Sequence, residues 1–394
     1  LKTGAKILMY SHDSYGLGHL RRTLALAETF VERISGASVL ILTGSTVSGM
    51  FRMSRGIDVV KLPSAVKVSN GVYEPSRMSI EFERLKEMRA TLILNTARSF
   101  DPDVFIVDKA PLGMKREVAS TLRHLRDERP RALTVLGLRD VMDDPDRVRL
   151  HWRDNQIIEA IEESYDLILV YGPREIYDPL PEYGLPETIL RRSHYVGYVG
   201  PRPRLEDVSG TPLAPGYVLV TAGGGGDGFR IIESYLAGLK AGPPPSFESV
   251  VVTGPLMTEE HKRAVERLSR GVPARVFEFR ADVDRLIRHA GAVVSMGGYN
   301  TTTELLAARR PALIVPRVEP RVEQLIRARR LASLGLIEMI HPKDLDPKLV
   351  RRKVEELLRR RSLPRVEVDL SGAVRAVELI KNSVARKRAL TIGA

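Results

Sequence analysis

The chain has 394 residues, 43% of them hydrophobic, and a formal net charge of +12; it is too long for one ordinary core and too apolar for a disordered chain, which predicts two globular domains. The absence of cysteine excludes disulfides, thiolate catalysis and cysteine-ligated metal clusters, and scattered histidines without an H-x-x-x-H pair predict no metal site. Basic residues run along the whole chain without an RNP or zinc-finger pattern, so nucleic acid is not an expected partner; solvated helix faces, phosphorylated substrates and an anionic membrane surface all fit the charge.

In chain order, the first half alternates apolar runs with helix-period segments. Strands are expected at Ala5–Tyr10, Ser38–Leu42, Asp58–Leu62, Val104–Asp108, Ala132–Leu136 and Leu167–Val170. Helices are expected over His19–Arg33, Ile80–Ser99, Lys115–Arg126 and Arg153–Ser164. The pattern lapses over Gly197–Gly216, where Pro and Gly crowd together as in a linker. It then restarts with strands at Tyr217–Thr221, Ser249–Thr253, Arg275–Phe279, Ala292–Ser295, Ala312–Val315 and Leu336–Met339. The helices between them are Phe229–Leu239, Glu259–Ser269, Val283–His289, Thr301–Ala308 and Arg321–Ser333, followed by basic helices over Lys348–Arg360 and Ala373–Arg386. The expected fold class is therefore α/β: two Rossmann-like, doubly wound parallel-sheet domains facing a cleft, with ligands at the carboxyl ends of the strands. The domains fall at 1–196 and 217–372, with a linker at 197–216 and a last helix at 373–394 packing back on the first domain.

Glycine marks the strand-to-helix turns. In the first half, Lys6–Tyr10 leads to S-H-D-S-Y-G-L-G-H-L-R-R; in the second, Val218–Thr221 leads to A-G-G-G-G-D-G-F. Neither is a Walker loop, since no G-K-[ST] follows, and the G-x-G-x-x-G spacing of Gly223, Gly225 and Gly228 lacks a ribose acid after the second strand. Gly223–Gly226 reads either as a loop that lets backbone approach a bulky ligand or as a tight turn; Gly16–Gly18 reads the same two ways. The richest segment is S-M-G-G-Y-N-T-T-T-E at Ser295–Glu304, running on into L-L-A-A-R-R-P-A-L-I-V-P. A helix start preceded by glycines favours an anion, and Glu304, inside the first turns, is where a carboxylate can accept hydrogen bonds from a ribose.

Together these elements make the second half similar to the donor-binding domain of GT-B glycosyltransferases, above all to the family that adds N-acetylglucosamine to lipid I in peptidoglycan synthesis. The similarity runs through Gly223–Gly228, F-E-F-R-A-D-V at Phe277–Val283, S-M-G-G-Y-N-T-T-T-E, P-A-L-I-V-P and Glu323-Gln324. In the first half it narrows to G-L-G-H-L-R-R-T-L-A-L-A at Gly16–Ala27, which also resembles the nucleotide-sugar hydrolase family of pseudaminic acid synthesis. The resemblance implies that backbone around Phe279 and Arg280 reads a uracil edge and that Glu304 holds the ribose hydroxyls. It implies that Gly298, Tyr299, Asn300 and Thr301, with Gly223, Gly224, Gly225 and Gly226, surround the diphosphate and sugar, and that Gln324 reaches the donor sugar. Glu323 stands where a second glutamine is expected, and Tyr299-Asn300 where small or aliphatic residues are. Both departures bear on which sugar is carried.

Glycosyl transfer needs charge stabilised on the departing diphosphate and a base for the acceptor hydroxyl. Oriented N–H groups supply the first without a metal ion, and no cofactor is expected. His19, at the start of the first helix, is the expected base, kept neutral there by the helix dipole. His12 and Asp13 in the same loop either bind the acceptor or orient His19. Asp108, at the carboxyl end of its strand, is catalytic itself or the partner of a histidine. Gly16, Gly18, Asp13 and Arg139 are assigned to the acceptor side, although Arg139 and Asp140 equally read as a structural ion pair. Thr46–Arg55 interleaves Val47, Met50, Phe51 and Met53 with Arg52 and Arg55, which suits either a lipid-linked acceptor or an ordinary core segment.

The expected activity is inverting transfer from a nucleoside-diphosphate sugar, UDP-linked, to the hydroxyl of a glycan or lipid-linked acceptor. A hydrolase in which His19 activates water, and a nucleotide-sugar-binding protein without turnover, are the alternatives. No apolar run approaches a membrane span and no signal-peptide pattern is seen, so the expected location is cytoplasmic, with peripheral contact at the inner face of the membrane.

Overall fold

Buried parallel strands and the helices that return between them account for most of the chain. The computed structural model describes residues 4–12, 18–46, 48–51, 53–69, 72–200, 214–280, 282–360, 364 and 366–392. It forms two compact units, Leu1–Gly200 with Asp369–Ala394, and Pro201–Val368.

The first unit runs β1 (Lys6–Ser11), α1 (Gly18–Arg33), β2 (Ser38–Thr43), β3 (Ile57–Lys61), β4 (Ala65–Ser69), β5 (Val72–Pro75), α2 (Phe82–Phe100), β6 (Val104–Asp108) and α3 (Ala119–Glu128). It continues with β7 (Leu133–Arg139), α4 (Pro145–Asp154), α5 (Ile157–Ser164), β8 (Leu167–Tyr171), the one-turn helices α6 (Pro179–Glu182) and α7 (Glu187–Leu190), and β9 (Ser193–Tyr195). Its sheet has seven strands in the order β3-β2-β1-β6-β7-β8-β9, all parallel. Every residue of V-F-I-V-D in β6 and L-I-L-V-Y in β8 is buried, because helices cover both faces of a parallel sheet.

Three local differences from the periodicity have physical causes. The helix expected over Arg153–Ser164 starts late, as α5, and is preceded by an unexpected one: Asp144 caps α4 by accepting from the N–H groups of Asp146 and Arg147, Pro145 opens it, and Gln156 at φ 51° breaks the chain before α5. The helix expected from Lys115 begins at Ala119, since Lys115 and Arg116 take positive φ in a preceding tight turn. The antiparallel pair β4–β5, too short to stand alone, is anchored by Ala65 packing with Leu85 and Met114 and by Tyr73 stacked on Phe82 at 5.9 Å.

The second unit runs β10 (Val218–Thr221), α8 (Phe229–Lys240), β11 (Ser249–Val252), α9 (Glu259–Ser269), β12 (Ala274–Phe277), α10 (Val283–His289), β13 (Ala292–Ser295), α11 (Tyr299–Ala308), β14 (Ala312–Ile314), α12 (Glu323–Ser333), β15 (Glu338–Met339) and α13 (Pro347–Arg359). Its six strands, again parallel, lie in the order β12-β11-β10-β13-β14-β15. One core joins Val218 and Val220 of β10, Val294 of β13, Ile232 and Leu236 of α8, and Val350 and Val354 of α13. The strand order reverses beside β1 in the first unit and beside β10 in the second, which is where doubly wound sheets take their ligands.

The last helix, α14 (Gly372–Ile392), belongs to the first unit. Ala376, Val377, Ile380 and Val384 bury one stripe of it against α1, β7 and β8. Around that stripe Arg33 pairs with Glu378 at 3.1 Å, Lys387 with Asp166 at 2.6 Å, and Arg388 with Asp103.

Candidate functional site

In the first unit His19, Arg22 and Asp108 meet at the strand-order reversal between β1 and β6. His19 is the second residue of α1, Asp108 the last of β6, and the His19 Nδ1–H donates to Asp108 Oδ2 at 2.5 Å. Arg22, one turn on from His19 along the same helix face, grips that carboxylate with Nε at 3.0 Å and Nη2 at 2.7 Å from Oδ1 and 2.7 Å from Oδ2. The guanidinium lies over the Tyr171 ring, 5.4 Å from its centroid. Arg22 Nη2 is also 3.1 Å from His19 Nδ1, a packing contact, since that nitrogen directs its proton at Asp108. Nε2 is thereby left as the ring's lone-pair nitrogen.

The charges follow from burial. The Arg22 and Asp108 side chains are 1% and 6% exposed. Burial opposes the Asp108 anion, but Arg22 and His19 outweigh it and hold its carboxyl far below the usual carboxylate range. Burial pushes His19 down to about 3 despite the attraction of Asp108, with Lys109 and Arg22 adding to the fall. The ring is therefore neutral at physiological pH, with burial as the largest cause.

The His12 ring meets His19 edge-on at 5.9 Å. Asp13 and Gly16 lie outside the described residues. Gly18 opens α1, and among the described residues no atom lies within 4 Å of where its Cβ would stand. Arg139 ends β7, the strand next to β6, and the adjoining Asp140 accepts from Tyr198 Oη at 3.3 Å. Val47 and Arg52 of the apolar–basic loop also lie outside the described residues.

In the second unit two glycine turns flank the reversal between β10 and β13. Gly225, at φ 96°, would set a Cβ 2.5 Å from the Thr253 carbonyl oxygen, and Gly254, at φ 89°, one 2.5 Å from Gly224 carbon. The loops after β10 and β11 thus stack backbone on backbone, and Leu256 N–H donates to Gly224 O at 2.8 Å. Gly223 needs glycine for its φ of 62°, and Gly228 because a Cβ would lie 2.1 Å from that of Ala222. Gly226 is exposed. A Cβ at Gly297 would strike Ile314, whereas Gly298 has an ordinary φ of −58° and, among the described residues, nothing within 4 Å of where its Cβ would stand. Packing accounts for most of these glycines; at Gly298 it accounts for nothing, and the space lies at the N-terminus of α11.

α11 begins at Tyr299, two residues ahead of the sequence expectation, so Tyr299 and Asn300 enter its first turn and are buried, with Thr301 half-buried beside them. Arg327 of α12, 1% exposed, lies 5.8 Å over the Tyr299 ring and donates to Gly297 O at 3.4 Å, fixing the turn. Glu304 is 5% exposed one turn further on. Gln324 Oε1 accepts from Arg317 N–H at 3.0 Å, and Arg317 binds Glu323 at 2.5 Å and Asp227 at 2.9 Å. Beyond β12, Gly254 N–H donates to Glu278 O at 2.9 Å, which fixes the chain leading to the half-buried Phe279. Arg280 is held by Asp282 through two bonds of 2.8 Å and lies over Phe277.

Sequence reasoning passed over Arg22, Arg317, Asp227 and Arg327. Arg22 carried a signal in its three-residue spacing from His19; the other three reach their partners only through the fold. Among the described residues no group of three or more His, Asp or Glu is disposed to hold a metal ion, and no helix is long and apolar enough to cross a membrane.

Residues 218–374 match the glycosyltransferase family 28 C-terminal domain. An uncharacterized glycosyltransferase of Methanopyrus kandleri is 28% identical over 240 residues, 58% of this chain and 64% of that protein. The UDP-N-acetylglucosamine–N-acetylmuramyl-(pentapeptide) pyrophosphoryl-undecaprenol N-acetylglucosamine transferase of Rubrobacter xylanophilus is 31% identical over 148 residues, 37% of this chain and 41% of that protein. The chain thus spans less than two thirds of the length of either relative. Among solved structures, the calicheamicin glycosyltransferase CalG4 superposes with a TM-score of 0.62 at 17% identity, covering 97% of this chain and 98% of its own. With its two parallel-sheet units the chain has the GT-B fold, and its segment 218–374 is similar to the glycosyltransferase family 28 C-terminal domain.

Proposed function

We propose that this protein is a glycosyltransferase that moves a sugar from a nucleoside diphosphate, UDP by preference, to the hydroxyl of a glycan or lipid-linked acceptor, with inversion and without a metal ion. The observation that carries the reading is the buried His19–Asp108 contact of 2.5 Å, in a chain whose other unit is similar to a family 28 C-terminal domain. Asp108 holds the Nδ1 proton, so Nε2 of the neutral ring takes the proton of the acceptor hydroxyl as its oxygen attacks the anomeric carbon opposite the diphosphate. The bond from that carbon to the diphosphate oxygen breaks, and the negative charge developing there is met by backbone N–H groups and the dipole of α11. In this reading Glu304 serves the ribose, the segment at Phe279 and Arg280 the base, and Gln324 the sugar. The protein would act in the cytoplasm, at the inner face of the membrane if the acceptor is lipid-linked.

A second reading, hydrolysis with His19 activating water, is favoured by G-L-G-H-L-R-R at Gly16–Arg22. A panel of nucleotide sugars separates the two, scored by thermal stabilisation and by release of free sugar without acceptor. His19→Ala is expected to leave nucleotide affinity unchanged and to lower turnover by about 10²–10⁴-fold. Failure of every nucleotide sugar to stabilise the protein would end the donor reading. Unchanged turnover in His19→Ala would end the assignment of the base.

A further inference from the structure

Arg317 follows β14 by three residues and occupies an unusual position among charges. Its Nη1 lies 2.9 Å from Asp227 Oδ2 and its Nη2 2.5 Å from Glu323 Oε1. Asp227 belongs to the loop after β10, whereas the strand order is β10-β13-β14. The Arg317–Asp227 pair therefore passes across the carboxyl end of β13, where Gly297 and Gly298 open α11. Two further helices, α8 and α12, begin at residues adjoining the two carboxylates. Their N-caps, Gly228 and Val322, and that of α11, Gly298, have no polar side chain to close a first turn. The guanidinium is thus held between the starts of α8 and α12, and the strand order puts the start of α11 between their loops, where an anion is favoured.

Its two partners are unequal. The Glu323 side chain is 4% exposed and that of Asp227 is 47% exposed, so the first is a fixed anchor and the second a solvent-side contact that is easily given up. Arg317 Nε–H is buried with no acceptor among the described residues, so the guanidinium is not fully satisfied where it rests.

We infer that Arg317 is a ligand of the donor diphosphate that Asp227 occupies at rest. On arrival of a nucleoside diphosphate at the start of α11, a phosphate oxygen takes the Nη1 end of the guanidinium, Asp227 turns to solvent, and Glu323 retains the Nη2 end. The planar fork matches a phosphate as it matches a carboxylate. Asp227 is accordingly a competitor for Arg317 and also a negative charge near the incoming anion. The inference rests on the donor-site reading above.

The test is calorimetric titration of the full chain with UDP, dTDP, GDP and ADP, and with the matched nucleosides as phosphate-free controls. Asp227→Asn is expected to tighten binding of the preferred diphosphate about 3- to 10-fold, and Arg317→Gln to weaken it at least 10-fold. Neither substitution should change nucleoside binding. Arg317→Gln strips the buried Glu323 of a partner; if that variant does not fold, the exposed Asp227→Asn decides alone. A wild-type protein that binds a diphosphate, paired with an Asp227→Asn protein of equal or weaker affinity, overturns the role of Arg317 and leaves the donor site standing. A wild-type protein that binds no nucleoside diphosphate removes both.

Discussion

At the scale of single residues, Arg22, Asp108 and His19 share one buried charge. Burial outweighs the pull of Asp108, so the carboxylate, held by Arg22, fixes the orientation of His19 without making its ring basic. The folded His19 titrates near 3, against an ordinary value of about 6.5 in the unfolded chain. Between those values the unfolded state binds a proton that the folded state does not, so stability falls as pH drops from 6.5 toward 3, by up to about 1.4 kcal/mol per unit. Asp108 behaves separately: its depressed value supports the fold above about 3.9 and that support is lost only in more acid solution. Melting curves at pH 7, 6 and 5 should therefore show a slope that His19→Gln reduces; an unchanged slope would clear His19 of it. In Arg22→Gln the buried Asp108 loses its guanidinium, at a cost of about 3–5 kcal/mol. Asp108 would then draw its charge balance from the imidazole, and NMR titration of the ring should show its pKa rising. His19, Asp108 and the Gly298 turn were all visible in the sequence as residues at strand ends. Arg22 was visible only as a basic residue on a helix.

At the scale of elements, the glycines of the strand-to-helix turns divide into those that packing requires and those that it does not. Gly225 and Gly254 are demanded by positive φ and by facing backbone within 3 Å; Gly298 is demanded by neither. Gly254→Ala should therefore cost at least the roughly 1–3 kcal/mol of a strained backbone conformation and lower the melting temperature of the second unit. Gly298→Ala should alter stability by less than about 1 kcal/mol, because the site is open and φ is ordinary. Nucleotide affinity should nonetheless fall about 10-fold, roughly 1.4 kcal/mol, as the added methyl enters the ligand's space. Equal damage to stability from both substitutions would refute this division. Periodicity located the strands well because a parallel strand buried on both faces is an apolar run. It passed over all of α4 but its last two residues and ran those into α5, because the break is made by one residue at positive φ, Gln156, that no composition signals.

At the scale of the whole molecule, the first unit is discontinuous: it is completed by Asp369–Ala394 after the chain has built the second. Removing residues 369–394 would expose the partners of Ala376, Val377, Ile380 and Val384. At about 1.5–3 kcal/mol for a fully buried Val or Ile, that loss is on the order of 5 kcal/mol and comparable with the stability of a domain. Calorimetry of the truncated chain should lose or strongly lower the transition of the first unit and retain that of the second; two transitions at wild-type temperatures would show α14 to be dispensable. The sequence by itself determined the alternation of strands and helices and the two sheets, and it singled out His19 and Asp108 as candidates. Those depend on local periodicity and on the rule that function collects at carboxyl strand ends, both of which are written along the chain. Tertiary structure alone decided that Arg22 divides Asp108 with His19, that Arg317 spans from one loop to another between Asp227 and Glu323, and which glycines serve packing. Such pairings join residues up to 90 positions apart, and the sign and strength of a charge contact depend on burial and separation, which no single stretch of sequence contains.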